Sequence, residues 1–340
     1  MIKVAINGLG RIGRAFLKMS IDNPELEIVA VNDLGDINNF AYLLKYDSAY
    51  RHSGLDIRVD GNNLIISGQT IKFLSEKNPS NLPWGDLKID VVVESTGIFD
   101  SYEKARAHLE AGAKKVVISA PVKGEPIPGI TGAMVLMGIN DEKLSTCQIS
   151  SNASCTTNSV APIIQIMKET VGVKKAILNT IHAYTATQKI VDGPDTKDFR
   201  RGRAAAQNIV PSSTGAALAV GQVIPDLTDL FDGVAMRVPV VTGSVSDITF
   251  ITNRPTTKEE INDILRQAGS ESRWQNIFMA TDELLVSSDI VGNTHASIAD
   301  LGMTRVVDGD LVKILAWYDN EIGYTHTLVE HVIKTGASLD

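Results

Sequence analysis

A short apolar strand, Lys3 to Ile6, runs directly into Asn7-Gly8-Leu9-Gly10-Arg11-Ile12-Gly13. A helical pattern carrying Ile12, Phe16, Leu17 and Met19 follows at once. This strand, glycine turn and helix constrain the fold more than any other stretch. Gly8 permits the tight turn, Gly10 lets backbone approach a pyrophosphate, and Gly13 allows close packing of helix on strand. The next strand, Glu27 to Val31, ends in Asn32-Asp33, which places Asp33 20 residues after Gly13. An acid at that place accepts from the adenosine ribose hydroxyls, and its charge repels a 2′-phosphate. A glycine triplet alone is weak evidence. Its neighbours here make it an expectation of bound NAD.

The alternation continues. Strands at Val91–Ser95 and Val116–Ser119, with helix-like stretches at Asn38–Leu44 and Tyr102–Ala111, argue a parallel sheet covered by helices. The strand ends Ser95-Thr96-Gly97 and Ser119-Ala120-Pro121 place small residues at the crevice where such sheets bind ligands. Further on, the β-branched runs Val234–Val241, Ser246–Thr252 and Leu311–Trp317 suggest a second, mostly antiparallel sheet. At 340 residues two domains are expected. The fold class is α/β (Rossmann-type, mostly parallel sheet) plus an α+β domain with a mostly antiparallel sheet.

Composition excludes several functions. A net charge of −8 opposes non-specific binding to nucleic acid or anionic membranes. No apolar run approaches a membrane span, and the opening Met1-Ile2-Lys3-Val4 reads as strand, not signal peptide. Two cysteines, Cys147 and Cys155, are too few for a disulfide framework, so a reduced, cytoplasmic protein is expected. No metal-ligand spacing is evident.

The chemistry centres on Ser151-Asn152-Ala153-Ser154-Cys155-Thr156-Thr157-Asn158, one cysteine among small polar residues before the helical pattern Val160, Ile163, Ile164, Met167. A thiol at a helix N-terminus faces unpaired N–H groups and the positive dipole end, both of which favour thiolate. Pro162 leaves open whether the helix starts at Cys155 or near Val160, and a buried packing cysteine is the competing reading. From Lys175 to Tyr184 a strand places Ile177, Asn179 and Ile181 on one face and Ala176, Leu178, Thr180 and His182 on the other. His182 thus stands at a strand end, with the right chemistry for a base. His52, His108, His295, His326 and His331 have no such setting and read as surface or packing residues.

Arg237 sits between Val234-Ala235-Met236 and Val238-Pro239-Val240, and a guanidinium there needs an anion. A structural carboxylate and a substrate phosphate both qualify. Thr214-Gly215 opens another helical stretch that could offer N–H groups to an anion. The charged run from Lys197 to Arg203 reads as a solvated or subunit-contact loop.

Taken together, the chain resembles the phosphorylating glyceraldehyde-3-phosphate dehydrogenases essentially end to end. The matching pieces are Asn7 to Arg14, Ser151 to Asn158, His182 with Thr185, Thr214-Gly215, Arg237, and Trp317-Tyr318-Asp319-Asn320-Glu321. The resemblance implies that Cys155 attacks an aldehyde and His182 is the base. Thiohemiacetal formation, hydride transfer and a thioester opened by inorganic phosphate would follow. It further implies that Thr185 and Arg237 bind the substrate phosphate, while Ser154, Thr156, Thr214 and Gly215 line the site of the attacking phosphate. Gly8, Gly10, Arg11, Ile12, Gly13, Asp33, Thr96, Gly97, Ser119, Asn320 and Tyr324 would hold NAD, with Asn320 on the nicotinamide carboxamide. The NAD-binding domain would comprise 1–154 plus 320–340, its last helix (Leu328, Val329, Val332, Ile333) returning to it. The catalytic and oligomerisation domain would comprise 155–319, in a homotetramer.

Four features depart from the family pattern: Ser159 where a second cysteine is common, Ile322 for a tryptophan, Leu285 for a proline, and a longer segment at 123–132. None removes a catalytic group. Erythrose-4-phosphate dehydrogenase shares the fold and catalytic pair and stays open as an alternative. A non-catalytic NAD sensor would predict a damaged pair, and a cysteine hydrolase would need neither glycine turn nor Asp33.

Overall fold

The computed structural model describes residues 1–339. Their contacts divide the chain into two compact units, Met1–Ala153 with the segment from Thr325 on, and Ser154–Tyr324. Against the expected 1–154 plus 320–340, the first boundary falls before Ser154, whose side chain caps the helix that follows. The return comes at Thr325 because Asp319 and Asn320 are held by Thr242, Ser244 and the Gly292 amide of the second unit.

In the first unit the strand Ile2–Asn7 lies mid-sheet, with Val4, Ala5 and Ile6 fully buried. On one side it pairs in parallel with Leu26–Asn32, which pairs with Gln69–Leu74. On the other side come Val91–Glu94, Lys115–Ile118, Ile149–Ser151 and Gly132–Met134, all parallel. Only Asn63–Ile66 and Ile57–Asp60 extend the sheet antiparallel. Chain order therefore reverses between Ile2–Asn7 and Val91–Glu94, and ligands bind beyond the strand ends at such a switch point. The helices Arg11–Ser20, Ile37–Lys45 and Tyr102–Glu110 follow the sequence reading closely, the last two N-capped by Asp36 and Ser101. In the terminal helix Ile322–Ala337, Leu328, Val329 and Val332 are buried, and His331 bonds Ser150 and Asn152 of the first unit.

The second unit holds a seven-stranded sheet in the order Val210–Ser213, Phe231–Val238, Lys175–Ala183, Ser244–Ile251, Leu311–Tyr318, Ser297–Val307, Phe278–Thr281. Most pairings are antiparallel, but Lys175–Ala183 runs parallel to Phe231–Val238. The strand expected to reach Val241 stops at Val238, since Pro239 has no N–H for the ladder. Ser297–Val307 was not legible as a strand, because Asp300, Gly302 and Arg305 break its alternation around a register shift. The helices Cys155–Thr170, Ala216–Val223 and Lys258–Gly269 pack on this sheet. Ile177, Val234 and Leu311 remain exposed.

Candidate active site

The glycine turn in the first unit is built as its spacing demands. Gly8 has φ +98°, and a Cβ there would lie 2.7 Å from the Thr96 amide nitrogen. A Cβ on Gly13 would lie 2.0 Å from the Gly8 carbonyl oxygen, so only glycine lets the helix sit this close. A Cβ on Gly10 meets nothing, and Gly10 lines a cavity of about 370 Å³ with Gly8, Asn32, Asp33 and Thr96. Leu34, Ile98 and Phe99 supply apolar walls. The Asp33 carboxylate accepts one N–H on each oxygen, from Leu9 at 2.7 Å and Gly35 at 3.0 Å, which aims it beside the turn. Arg11, Ile12, Gly13, Gly97 and Ser119 do not line this cavity. The Arg11 side chain is instead paired with Asp47 at 2.5 Å, and this pairing lowers the Asp47 pKa against the opposing effect of burial.

Beneath the cavity lies a network that sequence reasoning missed. Glu94 is buried at the end of a valine strand and accepts from Asn7 Nδ2 at 2.6 Å, Thr96 N at 2.8 Å and His108 Nε2 at 3.0 Å. Trp84 Nε1 donates to His108 Nδ1 at 3.1 Å, which leaves the proton on Nε2. His108 is thus a packing histidine with both nitrogens satisfied. The available signal was Glu94 itself, since an acid closing Val91-Val92-Val93 needs buried partners.

In the second unit the helix begins at Cys155, with Pro162 inside it. The N-cap Ser154 accepts from Thr157 N at 3.1 Å, and its hydroxyl meets that of Thr157 at 2.7 Å. This places the Cys155 thiol in the first helical turn. Its Sγ is 3.4 Å from His182 Nε2. Burial nevertheless pushes the Cys155 thiol up, opposed by the Arg237 charge and by hydrogen bonds at Thr156. Burial first, then the Arg237 charge, pushes His182 down to about 3. Burial therefore opposes the thiolate that the helix terminus favours.

The parallel register sets His182 directly beside Arg237. Arg237 NH1 lies 2.6 Å from His182 Nδ1 and 3.2 Å from the Ala183 carbonyl oxygen. No carboxylate pairs with Arg237 among the described residues, which removes the structural-carboxylate alternative. Tyr318, fully buried, joins the two catalytic elements. Its hydroxyl lies 2.9 Å from Thr156 Oγ1 on the cysteine helix and 2.8 Å from Thr180 Oγ1 on the histidine strand. Its role escaped sequence reading because Thr180 approaches it through the sheet pairing and Thr156 through packing of the cysteine helix on the sheet.

Thr185 follows the His182 strand, and its hydroxyl meets Thr187 at 3.0 Å. Thr214 accepts from Ala216 N at 3.2 Å, and Gly215 caps Ala216–Val223, a helix packed against the cysteine helix. Register sets Val210 opposite Arg237 and Ser213 opposite Val234, so Thr214 and Gly215 follow the end of that strand. Asn320 Oδ1 accepts from Thr242, Gly243 and Ser244, which orients its amide nitrogen as a donor. Tyr324 is buried, Ser159 packs against Ser246, and Ile322 opens the last helix. Among the described residues no cluster of His, Cys, Asp or Glu could hold a metal ion, and no helix is long and apolar enough to cross a membrane.

A dinucleotide-type cradle in one unit and a thiol–imidazole pair in the other define a protein of the thiol-dependent dehydrogenase class. Comparison with known proteins makes this specific. Residues 2–102 match the family described as "Glyceraldehyde 3-phosphate dehydrogenase, NAD binding domain", and 154–320 match its C-terminal domain. A glyceraldehyde-3-phosphate dehydrogenase of Geobacillus stearothermophilus is 46% identical over 97% of this chain and 96% of its own length. One from Mycobacterium avium is 47% identical over 99% of each, and glyceraldehyde-3-phosphate dehydrogenase 1 of Kluyveromyces lactis is 46% identical over 98% of this chain and all of its own. The chain belongs to the glyceraldehyde-3-phosphate dehydrogenase family.

We propose that Asp33 sets the cofactor preference. Asp33→Gly should weaken NAD use and relax discrimination against NADP, measured as kcat/KM for both cofactors. Equal use of the two by the native enzyme would refute the assignment.

Proposed function

We propose that the protein oxidises D-glyceraldehyde 3-phosphate with NAD and inorganic phosphate to 1,3-bisphosphoglycerate, as an enzyme of glycolysis and gluconeogenesis. The observation that carries this reading is the Cys155–His182 pair with the Arg237 guanidinium, which no carboxylate holds among the described residues, beside it. Asp33 would accept the ribose hydroxyls, Leu34, Ile98 and Phe99 would take the flat faces of adenine, and the turn from Gly8 to Gly13 would receive the pyrophosphate. The amide of Asn320 would donate to the nicotinamide carboxamide. Bound NAD supplies the hydride acceptor.

The protein's own steps follow from its side chains. Cys155 Sγ adds to the aldehyde carbon while its proton passes to His182 Nε2. The imidazolium returns that proton to the nascent alkoxide oxygen, and the neutral imidazole then takes the hydroxyl proton of the thiohemiacetal as hydride leaves the carbon. The resulting thioester at Cys155 keeps the energy of oxidation, and inorganic phosphate opens it. Arg237 and Thr185 would grip the substrate phosphate, and Ser154, Thr156, Thr214 and Gly215 the attacking one. NADH formation that depends on both glyceraldehyde 3-phosphate and inorganic phosphate is the expected result. Turnover that ignores phosphate, or faster oxidation of erythrose 4-phosphate, would overturn it.

A charge-assisted contact to phosphate is worth about 1.5–3 kcal/mol, and arginine adds a bidentate fork. Arg237→Leu should therefore lose about one to two decades of kcat/KM on the phosphorylated aldehyde. Unphosphorylated glyceraldehyde should suffer far less, and equal losses on both would make Arg237 structural. We also place the protein in the cytoplasm as a homotetramer. The exposed Ile177, Val234 and Leu311 on the second sheet and Ile190, Val191 and Phe199 in the loop beyond it support subunit contact. Sedimentation should give four chains per particle; a monomer would refute it.

A further inference from the structure

The ends of neighbouring strands meet beneath the cofactor cavity, and their side chains pair in a fixed order. Sheet register sets Glu94 beside Asn7 and Asn7 beside Asn32. Glu94 Oε2 accepts from Asn7 Nδ2 and His108 Nε2, while Oε1 accepts from Thr96 N and, at 2.5 Å, from Thr96 Oγ1. All four of these partners are donors. The order then spreads to both sides. Asn7 turns its Oδ1 away from Glu94 to accept from Asn32 Nδ2 at 2.7 Å. Asn32 Nδ2 also donates to the Glu76 carbonyl oxygen at 2.9 Å, and Asn32 Oδ1 accepts from Glu76 N at 2.8 Å. On the other side the Thr96 hydroxyl, its proton committed to Glu94, accepts from Ile98 N at 3.1 Å.

Glu94 does not line the cavity, yet Asn7, Asn32, Glu76, Thr96 and Ile98 all do. We propose that Glu94 is a positioning residue for cofactor binding, which holds both walls of the adenosine site through this polarised row. The proposal rests on the reading that the cavity takes the adenosine half of NAD. Only a carboxylate offers two acceptor oxygens and no donor. A glutamine in its place would set an NH₂ group either against the Thr96 amide or against Asn7 and His108. Flipping the Asn7 amide gives no escape. Asn32 would have to flip in turn, and the Glu76 N–H and C=O are backbone groups that cannot exchange places. His108 cannot give way either, because Trp84 Nε1 donates to its Nδ1 at 3.1 Å and keeps the proton on Nε2. Buried donors left facing donors are the costly case, and here the misfit falls on the segments that form the walls.

The test is calorimetric binding of ADP-ribose to the full-length chain. Glu94→Gln, nearly identical in shape, should weaken binding by at least about tenfold. The KM for NAD should rise by a similar factor, while kcat at saturating NAD changes far less, since Glu94 touches no reacting atom. Adding Asn7→Asp to Glu94→Gln should recover about fivefold of the loss. The new glutamine can then donate to the new aspartate, which still accepts from Asn32, and the total charge equals that of the native chain. Asn7→Asp alone should instead weaken binding, with two carboxylates facing each other. If Glu94→Gln lowers the thermal midpoint but binds ADP-ribose as tightly as the native chain, Glu94 only packs and the proposal fails. It fails equally if the added Asn7→Asp weakens binding further. Should Glu94→Gln not fold, Thr96→Val decides, because it removes only the hydroxyl link between Glu94 and Ile98. A loss of about fivefold is expected there, and unchanged affinity overturns the proposal. A native chain that does not bind ADP-ribose is the separate failure of the cavity's reading as the adenosine site.

Discussion

Cys155→Ser should abolish phosphate-dependent NADH formation while NAD binding stays nearly intact. A serine hydroxyl would occupy the same first-turn position, capped by Ser154 and facing His182 Nε2, so the fold has little reason to change. The chemistry changes completely. An alcohol is a far poorer nucleophile near neutral pH, and an oxygen ester would not hold the energy that phosphate later captures. NAD binding should survive because Asp33, Gly8, Gly10 and Thr96 line a cavity wholly within the first unit. Iodoacetamide should inactivate the native protein with one equivalent at Cys155, and the buried Cys147 should remain unmodified. Measurable turnover by Cys155→Ser would remove the thioester from the mechanism.

The second large effect is expected at His182. His182→Ala should slow the oxidation step on the order of 10²–10⁴-fold, the range of positioned acid–base help. The right observable is the first-turnover NADH burst, since steady-state rates fold in phosphate attack and product release. Burial, then the Arg237 charge, holds the imidazole pKa down to about 3. An anion on Arg237 removes the second of these causes and raises its proton affinity towards the working range. An unchanged burst rate in His182→Ala would assign the proton transfer to another group.

Much of the cofactor half could be read directly from the chain. Gly8 and Gly13 reveal themselves because a side chain at either would collide with backbone, and Asp33 because it closes the strand after the glycine turn. Cys155 was legible as a helix-start thiol among polar residues, and His182 as the end of an alternating strand. These signals are local, carried by turn chemistry, capping and side-chain period within a few residues. The burial that pushes the thiol pKa up was not legible, since it is a property of the packed unit.

What the amino-acid order alone determined, then, is the dinucleotide turn, the helix-start cysteine and the candidate base, each written in consecutive residues. The tertiary structure decided which of them meet. Arg237 reaches His182 across 55 residues of sequence only because two strands pair in parallel and in register. Tyr318 likewise joins Thr156 to Thr180 from 162 residues away in the chain. Register between distant strands follows from which faces bury together across the whole sheet, and that sum over many residues cannot be read from any one segment.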